Sequence, residues 1–324
     1  MPSQRRAIGW FREVFWRRIE PWSLLLILLG VFAFLYLCQF RFPITPIFTG
    51  GDENLYLPNA TRMLDGEMIY KDFFEFVAPG LTVINLCLFK LFGVRVWVPE
   101  GSLILLGFGL TLLTIVISRR VLSGPAAYFP AFLFLTFAYA FGLDDTQHWY
   151  STLAELAAVA VLIEKRTGKR LIAAGIFCGI ASFFMQTQGA FAVIGFGLFL
   201  LWEGATVGQG WKVICGRLGN LFASYVSTAL ATNAYFVWKV GFHRFFYCTV
   251  GFLIESWSAD RDSDSIYAAM FELRNLIHWN ALPALGIFLF IHLLLPLVYV
   301  WFWLRYRRMT VRHERKGPRR VQCV

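Results

Sequence analysis

Residues 22–41 read WSLLLILLGVFAFLYLCQFR, a run with no charged side chain before Arg41. A bilayer's hydrocarbon core of about 30 Å is crossed by roughly 20 helical residues, so this run is long enough to span a membrane. Arg5, Arg6, Arg12, Arg17 and Arg18 precede it. Cationic residues are retained on the cytoplasmic side, which puts the N-terminus inside. The run is too long for a signal-peptide core and no small-residue cleavage site comes after it, so it reads as an uncleaved signal anchor. The chain beyond residue 41 then emerges on the opposite side, the periplasm of a bacterium or the lumen of a eukaryote.

Composition extends this reading to the whole chain. Of the 324 residues 58% are hydrophobic, 18% aromatic and only 15% charged, with a mean hydropathy of +0.59. That exceeds what a water-soluble core of this size needs. A formal charge of +10 could speak for nucleic acid, but the cations gather at the chain ends and in short connections between apolar runs, where they flank spans. The six cysteines stand singly, with no CxxC pair and no zinc spacing, and read as small core residues.

Further apolar runs lie near 101–118, 126–143, 150–163, 171–184, 189–203, 218–240 and 282–304. The connections with Arg119 and Arg120, with Lys165, Arg166, Lys169 and Arg170, and with Lys212 and Arg217, together with the tail RYRRMTVRHERKGPRR, belong inside. This gives an all-α fold, a polytopic bundle of about eight transmembrane helices, provided that residues 81–97 do not cross. Their Lys90 and Arg95 suit an interfacial helix. With no internal repeat or linker, residues 1–304 form one membrane domain, 41–100 its first outer loop with interfacial helices, and 305–324 a basic cytoplasmic tail.

Three polar segments then face outward: 51–80, the turn GLDDTQHWYS at 142–151, and 241–281. A fourth polar stretch, MQTQG at 185–189, separates two short apolar runs. Non-helical backbone at membrane depth is tolerated where it is buried in protein or lines a cavity, so Gln186 and Gln188 are expected to line a pocket.

The segment GDENLYLPNATRMLDGEMIYKDFFEFVAPG, residues 51–80, holds six of the twenty acidic residues. Tyr56, Ala60, Met63 and Leu64 recur at helical spacing, with Pro58 early and Gly66 as a C-terminal cap, and predict a short amphipathic helix. YKDFFEF then sets aromatics between charges, as segments at headgroup level do. Most loop carboxylates are solvated charges or caps. Asp52 and Glu53 come after Gly50-Gly51 shortly beyond the first span, a position from which a carboxylate can overhang a cavity and act as general base. Asp144, Asp145 and His148 admit a metal, while Asp144-Asp145-Thr146 ahead of an apolar helix is equally ordinary capping chemistry. Among the outer cations Arg62, Lys71, Arg244, Arg261 and Arg274, one near an acidic site can hold a phosphate leaving group, though exposed loop charge is the commoner role. ADRDSD at 259–264 lacks the glycine and glutamate of a calcium loop. There is no Walker A, GxGxxG, HExxH or strand-borne GxSxG motif, which counts against ATP-driven transport and standard hydrolase chemistry.

The order of an arginine-rich start, one span and then D-E-N-L-Y-L-x-N-A-x-R-M-L-x-G-E-x-x-Y-x-D-F-F-E-F-x-x-P-G resembles the GT-C membrane glycosyltransferases, in particular bacterial relatives of the protein O-mannosyltransferases and lipid A aminoarabinose transferases. The resemblance covers about the first two hundred residues. It implies transfer of a sugar from a polyprenyl-phosphate carrier to an extracytoplasmic lipid, glycan or protein acceptor. Asp52 matches the family's essential loop acid, with Glu53 beside it. Gly66, Tyr70, Asp72 and Pro79-Gly80 match the rest of the loop, QHWYS resembles the second outer loop, and Gln188 stands where many relatives have lysine. No lysine precedes Pro79, another departure from the family pattern.

The expected site is therefore Asp52 and Glu53 for catalysis, with Tyr70, Lys71, Asp72, Asp145, His148, Gln186 and Gln188 for substrate. No cofactor is indicated by the sequence, and a divalent metal stays open. A transporter or flippase for a lipid-linked or small polar molecule, and a non-catalytic membrane subunit, are the competing readings. The expected location is the inner membrane of a bacterium, with the site facing the periplasm.

Overall fold

A chain segment in hydrocarbon must satisfy its backbone hydrogen bonds internally, and the helix is the way one segment does so alone. The computed structural model describes residues 21–41, 45–47, 53–259, 293–294, 296–298 and 300–301, and helices dominate it. Contacts divide the chain into two compact units, Met1–Ile254 and Glu255–Val324. Most of the apolar run 282–304, the connection 260–281 and the basic tail lie outside the described residues.

Helix α1 (Pro21–Gln39) leads into a minimal antiparallel pair, β1 (Phe40–Arg41) and β2 (Thr45–Pro46), with Phe40 opposite Pro46. The first loop carries α2 (Glu53–Leu64), and α3 (Gly80–Phe92) and α4 (Trp97–Val121) come next. The stretch after α4 is helical without a gap from 124 to 142 but changes pitch along its length: a 3-10 turn at Gly124–Tyr128, α5 (Phe129–Phe134), a π turn at Leu135–Tyr139 and a 3-10 turn at Ala140–Gly142. Sequence predicted a single span over 126–143. Pro125 and Pro130 each sit in the first turn of a new segment, where their missing N–H costs nothing. After it come α6 (Gln147–Leu162), α7 (Gly168–Phe184), α8 (Gln186–Val207), α9 (Trp211–Val240), α10 (Phe242–Phe246), a π turn at Tyr247–Gly251 and α11 (Phe252–Ala259).

Among the described residues, Trp22–Gln39, Trp97–Val121 and Gln186–Val207 are long and apolar enough to cross a membrane. This is a helical membrane protein. The apolar helix α3, at 13 residues, rises only about 20 Å, short of the hydrocarbon thickness.

Lipid gives no hydrophobic drive for helix to meet helix, so close backbone approach and small residues do that work. Gly175 and Gly179, four apart on α7, lie against α9: a Cβ on Gly175 would strike Ser224 and the Leu221 carbonyl, and one on Gly179 would come to 2.6 Å from Thr228 Cβ. Around this seam Leu171, Ala174, Cys178 and Leu221 are fully buried. A second core joins α1, α4 and the segment after α5 through Leu35, Leu103, Leu110 and Leu135, and Gly107 of α4 leaves room for Leu35 and Tyr139.

Ion pairs mark one end of the bundle. Arg120 at the end of α4 pairs with Glu164 after α6, and Glu203 near the end of α8 takes Arg166 at 3.2 Å and Arg217 of α9 at 3.7 Å. The basic turns after α4, after α6 and between α8 and α9 are therefore neighbours. The connections α3–α4, α5–α6 and α7–α8 fall at the other end.

Candidate functional site

At that other end the first loop is folded on itself. Helix α2 closes at Gly66, whose φ of 101° suits a residue without Cβ. The chain then turns through Tyr70, which has a φ of 68° although it is not glycine. Full burial holds it there: its ring meets Phe245 and Phe236 edge-on at 5.4 and 6.3 Å, and its hydroxyl donates to the Val77 carbonyl at 2.6 Å. Burial also drives the Tyr70 hydroxyl well above the usual phenol pKa, the nearby Glu75 charge adding to it. It is a neutral hydrogen-bond donor at every physiological pH.

Several loop carboxylates serve the loop itself. Glu75 accepts from the Phe76 and Val77 amides at 2.9 and 3.1 Å and from Asn59 Nδ2 at 2.7 Å. Its pKa is nevertheless raised, because burial outweighs these three bonds. Asp72 accepts from the Met68 amide at 2.7 Å, closing its own turn. Glu67 accepts from Arg62 Nε at 2.7 Å, while that guanidinium lies 4.3 Å over Phe73.

The loop is fastened to three later segments. Gln186, first residue of α8, accepts from the Ala78 amide at 3.1 Å and donates to the carbonyls of Phe76 at 2.9 Å and Thr249 at 3.0 Å. Arg244 donates to the Lys71 carbonyl at 2.8 Å. Asn85 of α3 donates to Asp145 at 2.5 Å. The first loop, the 142–147 turn, the α7–α8 turn and residues 244–249 thus share one end of the fold.

Asp145 is the centre of a buried polar group. Fully enclosed, it accepts from Asn85 and from the Tyr150 hydroxyl at 3.0 Å, and Ser102 Oγ lies 3.0 Å from that hydroxyl. Nearby in sequence to Ser102, Glu100 accepts from Gln39 Nε2 at 2.5 Å, both residues being about 1% exposed. Asn85 Oδ1, Gln39 Oε1 and Gln147 Oε1 are buried and find no hydrogen-bond donor among the described residues. Such oxygen-rich surroundings suit a hard cation or a donor hydroxyl rather than a soft metal. No three of His, Cys, Asp or Glu converge among the described residues. Beside this group an apolar cavity of about 650 Å³ runs between α3, α4, α6 and α7, with Ser102 and Tyr150 at its wall.

The expected site residues separate accordingly. Asp52 lies outside the described residues, and Glu53 opens α2 with its side chain outside the description. Tyr70 and Asp72 support the loop, and Lys71 is exposed. Asp145 is enclosed while His148, three residues on, is exposed, so Asp144, Asp145 and His148 are not brought together as a metal-ligand set. Thr146 is the residue at the N-terminal end of α6, and no side chain caps it. Gln186 and Gln188 were expected in a non-helical stretch. Only Met185 leaves helical geometry (φ −141°, ψ 105°), since Gln186 and Gln188 are already inside α8. Gln186 is a tether, and Gln188 keeps an enclosed Oε1 with no donor among the described residues. Sequence reasoning passed over Glu100, Gln39 and Asn85. Glu100 carried a signal, an acid at the head of an apolar run. Comparison with protein-family models, with curated proteins and with solved structures finds no match for this chain.

Proposed function

We propose that this protein is an integral-membrane glycosyltransferase of GT-C type. It moves a sugar from a polyprenyl-phosphate carrier to an acceptor outside the cytoplasm, in the inner membrane of a bacterium. The observation that supports it best is the fastening of the acidic first loop, through Asn85 to Asp145 and through Gln186, over one end of a helical membrane domain. A rigid acidic shelf at the bundle end opposite the basic turns is what transfer from a lipid-held donor at headgroup level requires.

In this reading Asp52 takes the proton from the acceptor hydroxyl or amine as that atom bonds to the sugar's anomeric carbon. The bond from that carbon to the carrier's phosphate oxygen breaks through an oxocarbenium-like state, with inversion, and the carrier leaves as a phosphate that needs little protonation. Glu53 stands beside the base, and Lys71 is a described loop cation within the same segment. The test is transfer by purified, reconstituted protein from polyprenyl-phosphate sugars. Asp52→Asn lowers turnover about 100-fold or more, the usual worth of a general base, with donor binding retained. Unchanged turnover in Asp52→Asn, Glu53→Gln and Asp145→Asn alike would remove the chemical basis of the reading.

One observation favours a second reading. Glu100 and Asp145 are buried carboxylates inside the helical domain, each held by an amide, and ionisable groups in such positions mark ion or substrate pathways in transporters. Proton- or sodium-dependent uptake into proteoliposomes that fails in Glu100→Gln, with no sugar transfer, would establish it.

A further inference from the structure

We propose that the basic end of the bundle carries a binding site for an anionic phospholipid, its acyl chain in a slot between α6 and α8 and its phosphate on Arg166. The slot is a cavity of about 480 Å³, lined by Val159, Ile163, Gly195, Phe196 and Phe199, with Arg166 as its polar wall. In a membrane protein such an apolar slot faces acyl chains rather than water, and its volume lies in the range of ligand sites.

Charge selects the headgroup. Arg166 is held in place by stacking at 5.2 Å over Phe199, by its contact to Glu203 at 3.2 Å and by a bond to the Ile163 carbonyl at 3.5 Å. Glu203 is shared, because Arg217 approaches its other oxygen at 3.7 Å, so two guanidiniums stand on one carboxylate. The three turns that meet here, 119–128, 163–170 and 203–217, contain eight cations, Arg119, Arg120, Lys165, Arg166, Lys169, Arg170, Lys212 and Arg217, against Glu164 and Glu203. The N-terminus of α7 at Gly168 adds its positive dipole end to the same turn. A phosphodiester without a compensating amine completes this balance. A choline or ethanolamine group would bring a further cation into it. Basic recesses between helices on the cytoplasmic side hold anionic headgroups in this way. Free phosphate matches Arg166 but leaves the slot unfilled.

Gly195 gives a clean test, since a Cβ there meets nothing within 4 Å. Leucine there starts from an open Cβ position and projects into the slot, occupying part of the acyl-chain space. The intact protein is placed in nanodiscs of phosphatidylcholine carrying a graded minor fraction of phosphatidylglycerol, and thermal unfolding is followed. The wild type shows a saturable rise in Tm with phosphatidylglycerol, and inorganic phosphate in pure phosphatidylcholine does not reproduce it. Gly195→Leu unfolds normally in phosphatidylcholine and needs about tenfold more phosphatidylglycerol for the same rise. Arg166→Gln loses the response, while Lys165→Gln, an exposed charge on the same turn, keeps most of it. Equal Tm in both lipids overturns the site, as does an undiminished response in Gly195→Leu. A response lost equally in Lys165→Gln and Arg166→Gln would mean general surface charge and likewise overturn it.

Discussion

Gln186→Leu cuts the tie between the first loop and the bundle while keeping side-chain volume near that of glutamine. It removes one acceptor and two donors: the bond from the Ala78 amide at 3.1 Å and those to the Phe76 and Thr249 carbonyls at 2.9 and 3.0 Å. A neutral hydrogen bond contributes about 0.5–1.5 kcal/mol net, less where water can replace the partner, and the Phe76 bond lies in the more exposed surroundings. Three such bonds sum to about 2 kcal/mol for local opening of the loop, or roughly a 30-fold rise in exchange of amides that open with it. Tyr70 and Gly80 still hold the flanks, Gly80 being packed so closely on the Phe183 backbone that no Cβ would fit. The acceleration is therefore confined to residues 76–80. Hydrogen exchange read by mass spectrometry on peptides across 73–82 measures it, with α4 and α6 as internal references. Less than about threefold change there would show that the tether contributes nothing measurable. Equal acceleration in α4 and α6 would show that Gln186 supports the whole bundle, and either result refutes the local-latch argument.

Loop electrostatics and helix packing each give a further outcome. Glu75 has a folded pKa above its ordinary value of 4.5, raised by burial, so the folded loop holds the proton more tightly than the unfolded chain. Loop stability is then full below that ordinary value and declines as pH rises through the raised one. Exchange of the Phe76 and Val77 amides, corrected for intrinsic rate, tracks this slope in wild type and flattens in Glu75→Gln; parallel curves would rule the account out. On α7, Gly179→Leu drives a side chain into Thr228 and the Tyr225 carbonyl. It costs about 1–3 kcal/mol or more and lowers the unfolding midpoint, whereas Gly195→Leu does not. Similar midpoints for the two would contradict the close seam between α7 and α9.

Periodicity shows what lies within one segment and fails at what two segments make together. Helix α1 was legible because WSLLLILLGVFAFLYLCQ needs no partner to be helical in lipid, and α2 because Tyr56, Ala60, Met63 and Gly66 state their spacing and stop. The change to π pitch at Leu135–Tyr139 was not, since its apolar sequence reads as one run; Tyr139 there donates to the Leu103 carbonyl and packs edge-on against Trp149. Asp145 has the local signature of a turn acid. Its burial comes from Asn85, sixty positions earlier, and from Tyr150. Glu100 was set aside because the apolar run was begun one residue after it, yet Gln39 closes over it from α1. Met185 alone breaks the helix where a longer polar stretch was expected, because Gln186 finds its partners on the first loop and has no need of a non-helical backbone.

The same contacts sort the acids whose crowding in the first loop is its most conspicuous sequence feature. Glu67 is engaged with Arg62, Asp72 with the Met68 amide, and Glu75 with Asn59 and two backbone amides. Glu67 and Asp72 already spend their lone pairs on a guanidinium and a turn amide, and burial makes Glu75 hold its proton rather than shuttle it, so none of these three suits a general base that must act and recover in each cycle. Half of the six acids in 51–80 thus serve to fold a polar segment tightly beside lipid, two of them by giving backbone amides a partner. Within the transferase reading, chemistry at this end falls to a smaller set. Asp52 and Glu53 stand at the start of the loop, before these turns, and Asp145 stands behind it with Asn85 and Tyr150 on its oxygens. Asp145 is itself hydrogen-bonded and enclosed, fitted to hold charge or orient Tyr150 rather than to meet an acceptor from solvent. Within the transferase reading, proton removal therefore falls to the Asp52-Glu53 pair, while Asp145 orients Tyr150.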